Sequence, residues 1–353
     1  MASLNDIIID KHIIGVGKKP LIIAEIGVNH NGCINLAKQL IDAAKNCGAD
    51  VVKFQTFKAE RLASQETPKV DYQKRSEPQK SESHFEMLKR LELSFEDTDM
   101  LKKYCDKLGV TFMSTPYDSE CVEFLNEIGV SAYKVASADL VDYRIHRAIQ
   151  ATKKPVIQSV GMCDYSEIED WLKLYEKGYP IVLLQCTANY PSDPNNSNLR
   201  VIEELRKKFN LQTGFSDHTS DDRSAFLSVA MGSVVIERHF TLDCKMDGPD
   251  HKASTEPTEF KQYCESVHSA YRIMGSNEKF VVAEEKGMRS VSRKGVYLSR
   301  DLEKGEVLKE SDIKFQRPST KYSPLQIMSF LGSRANKPIK KNMTLLREDF
   351  DLE

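Results

Sequence analysis

The chain has 353 residues, a formal net charge of −2 and 40% hydrophobic residues, which suffices for one large core and a second, smaller domain. Near-neutral charge excludes a globally basic nucleic-acid binder. No apolar run approaches the ~20 residues of a membrane span, and Met1–Lys11 is polar, unlike a signal peptide, so a cytoplasmic protein without membrane contact is expected.

Eight short apolar runs follow one another in chain order: Leu21–Ile26, Val51–Gln55, Val110–Ser114, Ala132–Ala136, Pro155–Val160, Ile181–Cys186, Thr213–Ser216 and Val234–His239. They are continuous rather than alternating, as strands covered by helices on their outer side should be. Helical patterns lie between them, among them Ile34–Cys47, Ser119–Ile128, Tyr165–Lys177, Asn198–Phe209 and Asp221–Met231, and a last one spans Pro257–Met274. Asp118-Ser119-Glu120 and Asp164-Tyr165-Ser166-Glu167 carry helix-start signals. Eight strand–helix units predict a (β/α)8 TIM barrel. A doubly wound sheet is the competing architecture, and the count of eight and the lack of G-x-G-x-x-G after the first strand argue against it.

Two stretches break the alternation. Phe57–Ser83 is a long polar insertion after the second strand, read as a lid or an interface arm. Beyond the last helix the chain becomes rich in glycine and short strand-like pieces. The division is placed at 1–284 and 285–353, the second part being a small mainly-β domain. That tail holds 15 Lys and Arg against 10 Asp and Glu, a basic face that is either solvated or turned toward an anionic site. The eight cysteines form no C-x-x-C pair, so reduced thiols are expected and a structural zinc site is not.

A barrel of this kind builds its site at the carboxyl ends of its strands, and the polar residues collect there. They are Glu25, Lys53 and Gln55, Thr115, Lys134 with Ser137 and Asp139, Ser159, Thr187 with Asn189 and Tyr190, Ser216 with His218, and Glu237 with His239. His218 and His239 arrive from adjacent strands and suit a borderline divalent metal with open positions, whether Mn, Fe, Co or Zn. His30 and His251 are weaker candidates. Lys53 and Lys134 stand in strands where an unpaired ammonium is costly. Pairing with Glu25 would satisfy one. An anionic substrate held with Thr115, Ser137, Ser159 and Ser216 accounts for both. Asp250, in Gly248-Pro249-Asp250-His251, is a candidate general base, an acceptor-hydroxyl ligand or a loop cap, with substrate contact the favoured reading.

Taken in order, Ala24-Glu25-Ile26-Gly27-Val28-Asn29-His30-Asn31-Gly32, Val52-Lys53-Phe54-Gln55-Thr56, Ser114-Thr115-Pro116, Tyr133-Lys134-Val135-Ala136-Ser137, Cys186-Thr187-Ala188-Asn189-Tyr190-Pro191, Phe215-Ser216-Asp217-His218-Thr219, Glu237-Arg238-His239-Phe240-Thr241 and Gly248-Pro249-Asp250-His251 resemble the sialic acid synthases. The tail resembles the antifreeze-like (SAF) domain of the same family. The resemblance implies condensation of phosphoenolpyruvate (PEP) with an N-acetylmannosamine-type aldose. It implies manganese, or magnesium or cobalt in its place, on His218 and His239. PEP would be gripped by Lys53, Thr115, Lys134, Ser137, Ser159 and Ser216, with Glu25 by the reacting water. Gln55, Asp139, Tyr190 and Asp250 would face the sugar. Arg317 would reach a neighbouring subunit's acceptor in a domain-swapped homodimer. The acceptor 6-phosphate and the diacetamido-6-deoxy hexoses of legionaminic or pseudaminic acid are alternative acceptors. A metal-dependent aldolase or isomerase on the same barrel and a sugar-binding module are the alternative classes.

Overall fold

A computed structural model describes residues 4–77, 79 and 81–351. Two compact units emerge, Met1–Gly275 and Ser276–Glu353. The division expected at 284/285 would instead cut through a helix, Ala283–Ser292, whose Ser290 carbonyl accepts hydrogen bonds from both the backbone and the hydroxyl of Ser319.

The first unit is built on eight parallel strands: β1 Leu21–Gly27, β2 Val51–Thr56, β3 Thr111–Pro116, β4 Tyr133–Val135, β5 Val156–Ser159, β6 Ile181–Cys186, β7 Gln212–Asp217 and β8 Val235–His239. Their order in the sheet is β3-β2-β1-β8-β7-β6-β5-β4, and β3 and β4 lie side by side to bring the ring nearly to closure. All eight predicted strands are present.

Side chains of successive strand residues point to opposite faces, so parity sorts each strand into an outer and an inner series. The outer series (Ile22, Ala24 and Ile26 of β1, for example) packs against the helices, including Leu40 and Ile41 of Ile34–Asn46 and Phe260 of Pro257–Met274. The inner series begins apolar at the amino end: Leu21 and Ile23, Val51, Met113, Ile157, Val182 and Leu184, and Val235 form one cluster. A hairpin, Ile7–Ile9 with His12–Ile14, adds Ile7, Ile9 and Ile14 to that cluster and plugs the amino end of the barrel. Toward the carboxyl end the same inner series turns polar: Glu25, Lys53, Thr115, Ser159, Ser216 and Glu237 are all buried. The core and the site are therefore successive layers of one interior.

The insertion after β2 folds into short helices, Ala59–Leu62 and Asp71–Ser76, followed by His84–Leu91 and Phe95–Leu108. Ser83 accepts from the Glu86 backbone while Glu86 answers to the Ser83 backbone, a capping box that starts the helix over the barrel mouth. Met87, Leu88 and Leu91 of that helix pack with Val28, Phe57 and Ala59. The second unit has its own core, with Val296, Leu298, Leu302, Leu308, Phe330 and Phe350 buried around the antiparallel pairs Gly295–Leu298 with Ile313–Gln316 and Arg334–Ala335 with Phe350–Asp351.

Candidate active site

A cavity of about 450 Å³ opens at the carboxyl end of the strands. Its floor is the polar part of the inner series. Lys53 Nζ lies 2.8 Å from Glu25 Oε2 and 3.5 Å from Glu237 Oε2, and donates to Thr115 Oγ1 at 3.0 Å. Lys134 Nζ lies 3.6 Å from Glu237 Oε1 and donates to Ser159 Oγ at 2.7 Å. Ser216 Oγ donates to Glu237 Oε1 at 3.1 Å. Two ammonium groups face two carboxylates, so the buried charges balance, as they must away from water.

The balance is uneven between the two acids. Burial pushes the Glu25 carboxyl up, and its neighbour Glu237 adds to this against the pull of Lys53, leaving it at about 7. Glu237 meets the same burial, but Lys134 and Lys53 together outweigh it and hold the carboxyl down at about 2. Glu237 is thus the permanent anion of the floor, and Glu25 is the group that exchanges a proton near neutrality. Glu237 is also the site residue to which the sequence reading gave no role. Its signal was parity: it lies two residues before His239 and two after Val235, hence on the inner face.

The two histidines sit above the acids. His218 and His239 are buried with ring centroids 5.7 Å apart, and Tyr190 packs against both, at 4.1 and 5.4 Å. His218 Nδ1 is 2.8 Å from the Thr187 carbonyl, so that nitrogen carries a proton. Its Nε2 lies 3.3 Å from Ser216 Oγ, whose proton is engaged with Glu237. His239 Nδ1 is buried without a hydrogen-bond partner, and burial, followed by His218, pushes its imidazole down to about 3, leaving a neutral ring. An orphaned imidazole nitrogen beside a second ring held in one tautomer by a backbone carbonyl is the donor set a divalent cation takes. Among the described residues no group of three or more His, Cys, Asp or Glu side chains is arranged around a common point. The fit to a cation rests on the two imidazoles alone, His218 and His239, with Nδ1 of His239 buried and unpartnered beside the second ring.

Every residue assigned to anion binding lines this cavity: Lys53, Thr115, Lys134, Ser137, Ser159 and Ser216. Gln55, Tyr190 and Asp250 line it as well, while Leu62, Ala63 and Val70 of the insertion, with Met87 and Leu88, add an apolar side and Gln73 a polar one. Ser137 accepts at Oγ from the Gly161 backbone, 2.9 Å, which ties the loop after β4 to the loop after β5. Asp139, Asn189, His30 and His251, all singled out in the sequence, lie outside this lining. Asp139 lies in the short helical turn Ser137–Val141 and is not among the lining residues, because the chain has left the strand and parity no longer aims it inward. His30 and His251 do not line the cavity either. Arg317 belongs to the second unit, directly after the strand Ile313–Gln316. Asn189 donates to the Pro191 carbonyl at 3.1 Å and shapes its own loop.

With this geometry in place, the similarities are informative. The NeuB family model matches residues 40–279 and the SAF domain model residues 293–351. The N,N'-diacetyllegionaminic acid synthase of Legionella pneumophila is 40% identical over 336 residues, 94% of either chain. The pseudaminic acid synthase of Campylobacter jejuni is 33% identical over 94% of this chain and 97% of its own. Among solved structures, the N-acetylneuraminic acid (sialic acid) synthetase of Leptospira borgpetersenii in complex with citrate superposes with a TM-score of 0.71 at 29% identity, covering 82% of this chain and 96% of that one.

Proposed function

The chain belongs to the NeuB family, the sialic acid synthases, and from that premise we propose that it joins PEP to an open-chain N-acetylated aldose to give a nonulosonic acid and inorganic phosphate. The observation that carries this reading is the floor of the cavity, where two buried lysines and four hydroxyls line the same space as two imidazoles. The 40% identity to a diacetyllegionaminic acid synthase, against 29% to an N-acetylneuraminic acid synthetase, supports a diacetamido-6-deoxy hexose as acceptor over N-acetylmannosamine or its 6-phosphate.

The residues divide the work as follows. Lys53, Lys134, Thr115, Ser137, Ser159 and Ser216 hold the phosphate and carboxylate of PEP, and the incoming anion takes over the lysine contacts that Glu25 and Glu237 make in its absence. C3 of PEP forms the new bond to the aldehyde carbon. The carbonyl π pair moves to the aldehyde oxygen, which takes up a proton to become a hydroxyl, and C2 is left electron-poor. Water adds at C2, giving up a proton to Glu25, whose carboxyl near 7 suits that exchange at neutral pH. The C2–O bond to phosphate then breaks and phosphate leaves with both electrons as the new C2 hydroxyl gives up its proton and becomes the keto group, while the lysines hold the charge that accumulates. Gln55, Tyr190 and Asp250 present polar groups to the sugar. His218 and His239 would hold a divalent cation, manganese first and magnesium or cobalt as substitutes, and that ion supplies Lewis acidity toward the sugar's carbonyl oxygen. Arg317 would act on the acceptor's N-acyl group from a second subunit, in a domain-swapped homodimer. The reduced thiols suit a cytoplasmic enzyme, and among the described residues no helix is long and apolar enough to cross a membrane.

Phosphate release from PEP tests the reading directly. Purified protein supplied with manganese should release phosphate with a diacetamido-6-deoxy hexose, with kcat/KM at least ~10-fold above that for N-acetylmannosamine or its 6-phosphate. Equal or greater turnover of either other sugar would reassign the acceptor, and no release with any of the three would remove the synthase reading.

A further inference from the structure

The segment Val28-Asn29-His30-Asn31-Gly32 leaves β1 and takes no direct part in the chemistry described above. Its two asparagines reach across to the loop that follows β8. Asn29, fully buried, spends both amide protons there, on the Phe240 carbonyl at 2.9 Å and on Ser254 Oγ at 2.8 Å. Ser254 Oγ passes the connection on by donating to the carbonyl of Asp250 at 2.7 Å. Asn31 likewise spends both protons, on the Asp247 carbonyl at 2.8 Å and on His251 Nε2 at 3.1 Å.

His251 completes the connection. Thr241 Oγ1 donates to the Asp243 carbonyl at 3.3 Å, so it accepts from His251 Nδ1, 2.7 Å away. Each nitrogen of the buried ring therefore has one fixed duty, acceptor at Nε2 and donor at Nδ1, and the imidazole is neutral. Gly248 rests on this assembly so closely that a Cβ there would lie 2.5 Å from His251 Cδ2 and 2.8 Å from Asn31 Oδ1. Between Asp247 and His251 the loop is thus held at the Asp247 carbonyl, at the Asp250 carbonyl and at the His251 ring. Of this short stretch Pro249 and Asp250 line the cavity, and Asp250 is the polar one.

We propose that Asn29, Asn31 and His251 are positioning residues that aim Asp250 at the acceptor sugar. The inference rests on the reading of Asp250 as an acceptor contact. A loop ordered before substrate arrives spares binding the cost of ordering it, and small displacements of a contact are expensive at a reacting centre.

The test uses the full-length protein with manganese, PEP and the acceptor sugar that it turns over. Asn31→Ala and His251→Gln should each lower kcat/KM for the acceptor by about 10- to 100-fold and leave the KM for PEP within about 2-fold. His251→Gln keeps an acceptor for Asn31, so it serves if Asn31→Ala fails to fold. In an Asp250→Asn background, Asn31→Ala should cost no more than about 2-fold, since the clamp acts through the carboxylate already removed. A full additional loss in that background, an equal rise in the PEP KM, or unchanged acceptor kinetics in both single variants overturns the inference. Wild-type protein that releases no phosphate with any acceptor overturns the proposed function, and this inference with it.

Discussion

At the scale of single residues, the cavity floor shows how one environment drives two carboxyls apart. Glu25 and Glu237 are both buried, and the difference lies in how many ammonium groups each meets: Glu25 is 2.8 Å from Lys53, whereas Glu237 lies between Lys53 and Lys134. The signs follow for stability. Glu25 at about 7 stands above its ordinary 4.5, so its favourable contribution is fully present below 4.5 and is lost as pH rises through 7. Glu237 at about 2 stands below it, so its contribution is present above 4.5 and is lost as pH falls through 2. In chelator-treated protein at pH 8, Glu25→Gln should therefore raise the unfolding free energy by about 2–3 kcal/mol, and at pH 4 it should change little. Glu237→Gln should lower it by about 3 kcal/mol at pH 8, because two buried lysines lose their shared anion. Urea denaturation at the two pH values separates these outcomes, and like-signed effects at pH 8 would refute the division of roles.

At the scale of elements, the strands were legible and the details at their ends were not. Continuous apolar runs marked every barrel strand, because both faces of such a strand are covered. Helix ends moved where one backbone angle decided the matter. Asn198, expected to open a helix, has φ +46 and stands outside it, and the helix begins at Arg200. Asp221 likewise bonds to the Arg223 backbone and precedes its helix rather than joining it. The helix Ala283–Ser292, in a tail read as mainly β, was missed; it is short and buries no residue, with Met288 and Val291 left exposed. The amino-terminal hairpin escaped for a different reason: three residues per strand are too few to set a period. Inside β7, Gly214 has no room for a side chain, since a Cβ would fall 2.2 Å from the Val235 carbonyl and 2.7 Å from Leu184 Cδ2. Gly214→Ala should accordingly cost at least ~2 kcal/mol in thermal or urea unfolding, as overpacked interiors do, and a silent substitution would show that β7 and β8 can part at little cost.

At the scale of the whole molecule, the chain joins a barrel that holds a complete polar floor to a second unit with its own core and a residue, Arg317, assigned to the acceptor. If Arg317 serves a neighbouring subunit, the site is assembled from two chains. Arg317→Ala and His239→Ala proteins, each nearly inactive, should then recover about a quarter of wild-type activity when unfolded together and refolded as a mixture, because one arrangement in each mixed dimer pairs two intact halves. Mixtures no more active than their parts, or a monomer in light scattering at assay concentration, would return Arg317 to its own chain.

By itself the sequence determined the barrel, its polar mouth, the order of the motifs and hence the family, because parallel strands covered on both faces print their burial directly into composition. It also placed the two imidazoles and both lysines, since strand-end positions in such a barrel converge whatever the loops do. Tertiary structure alone decided which polar residues meet. Glu237 joins the lysines, Asp139 turns aside, and Asn31 grips His251 across 220 positions of chain. Those outcomes depend on inward or outward parity and on loop paths after the strands end. Neither is written in local composition; each is settled only when distant segments pack against one another.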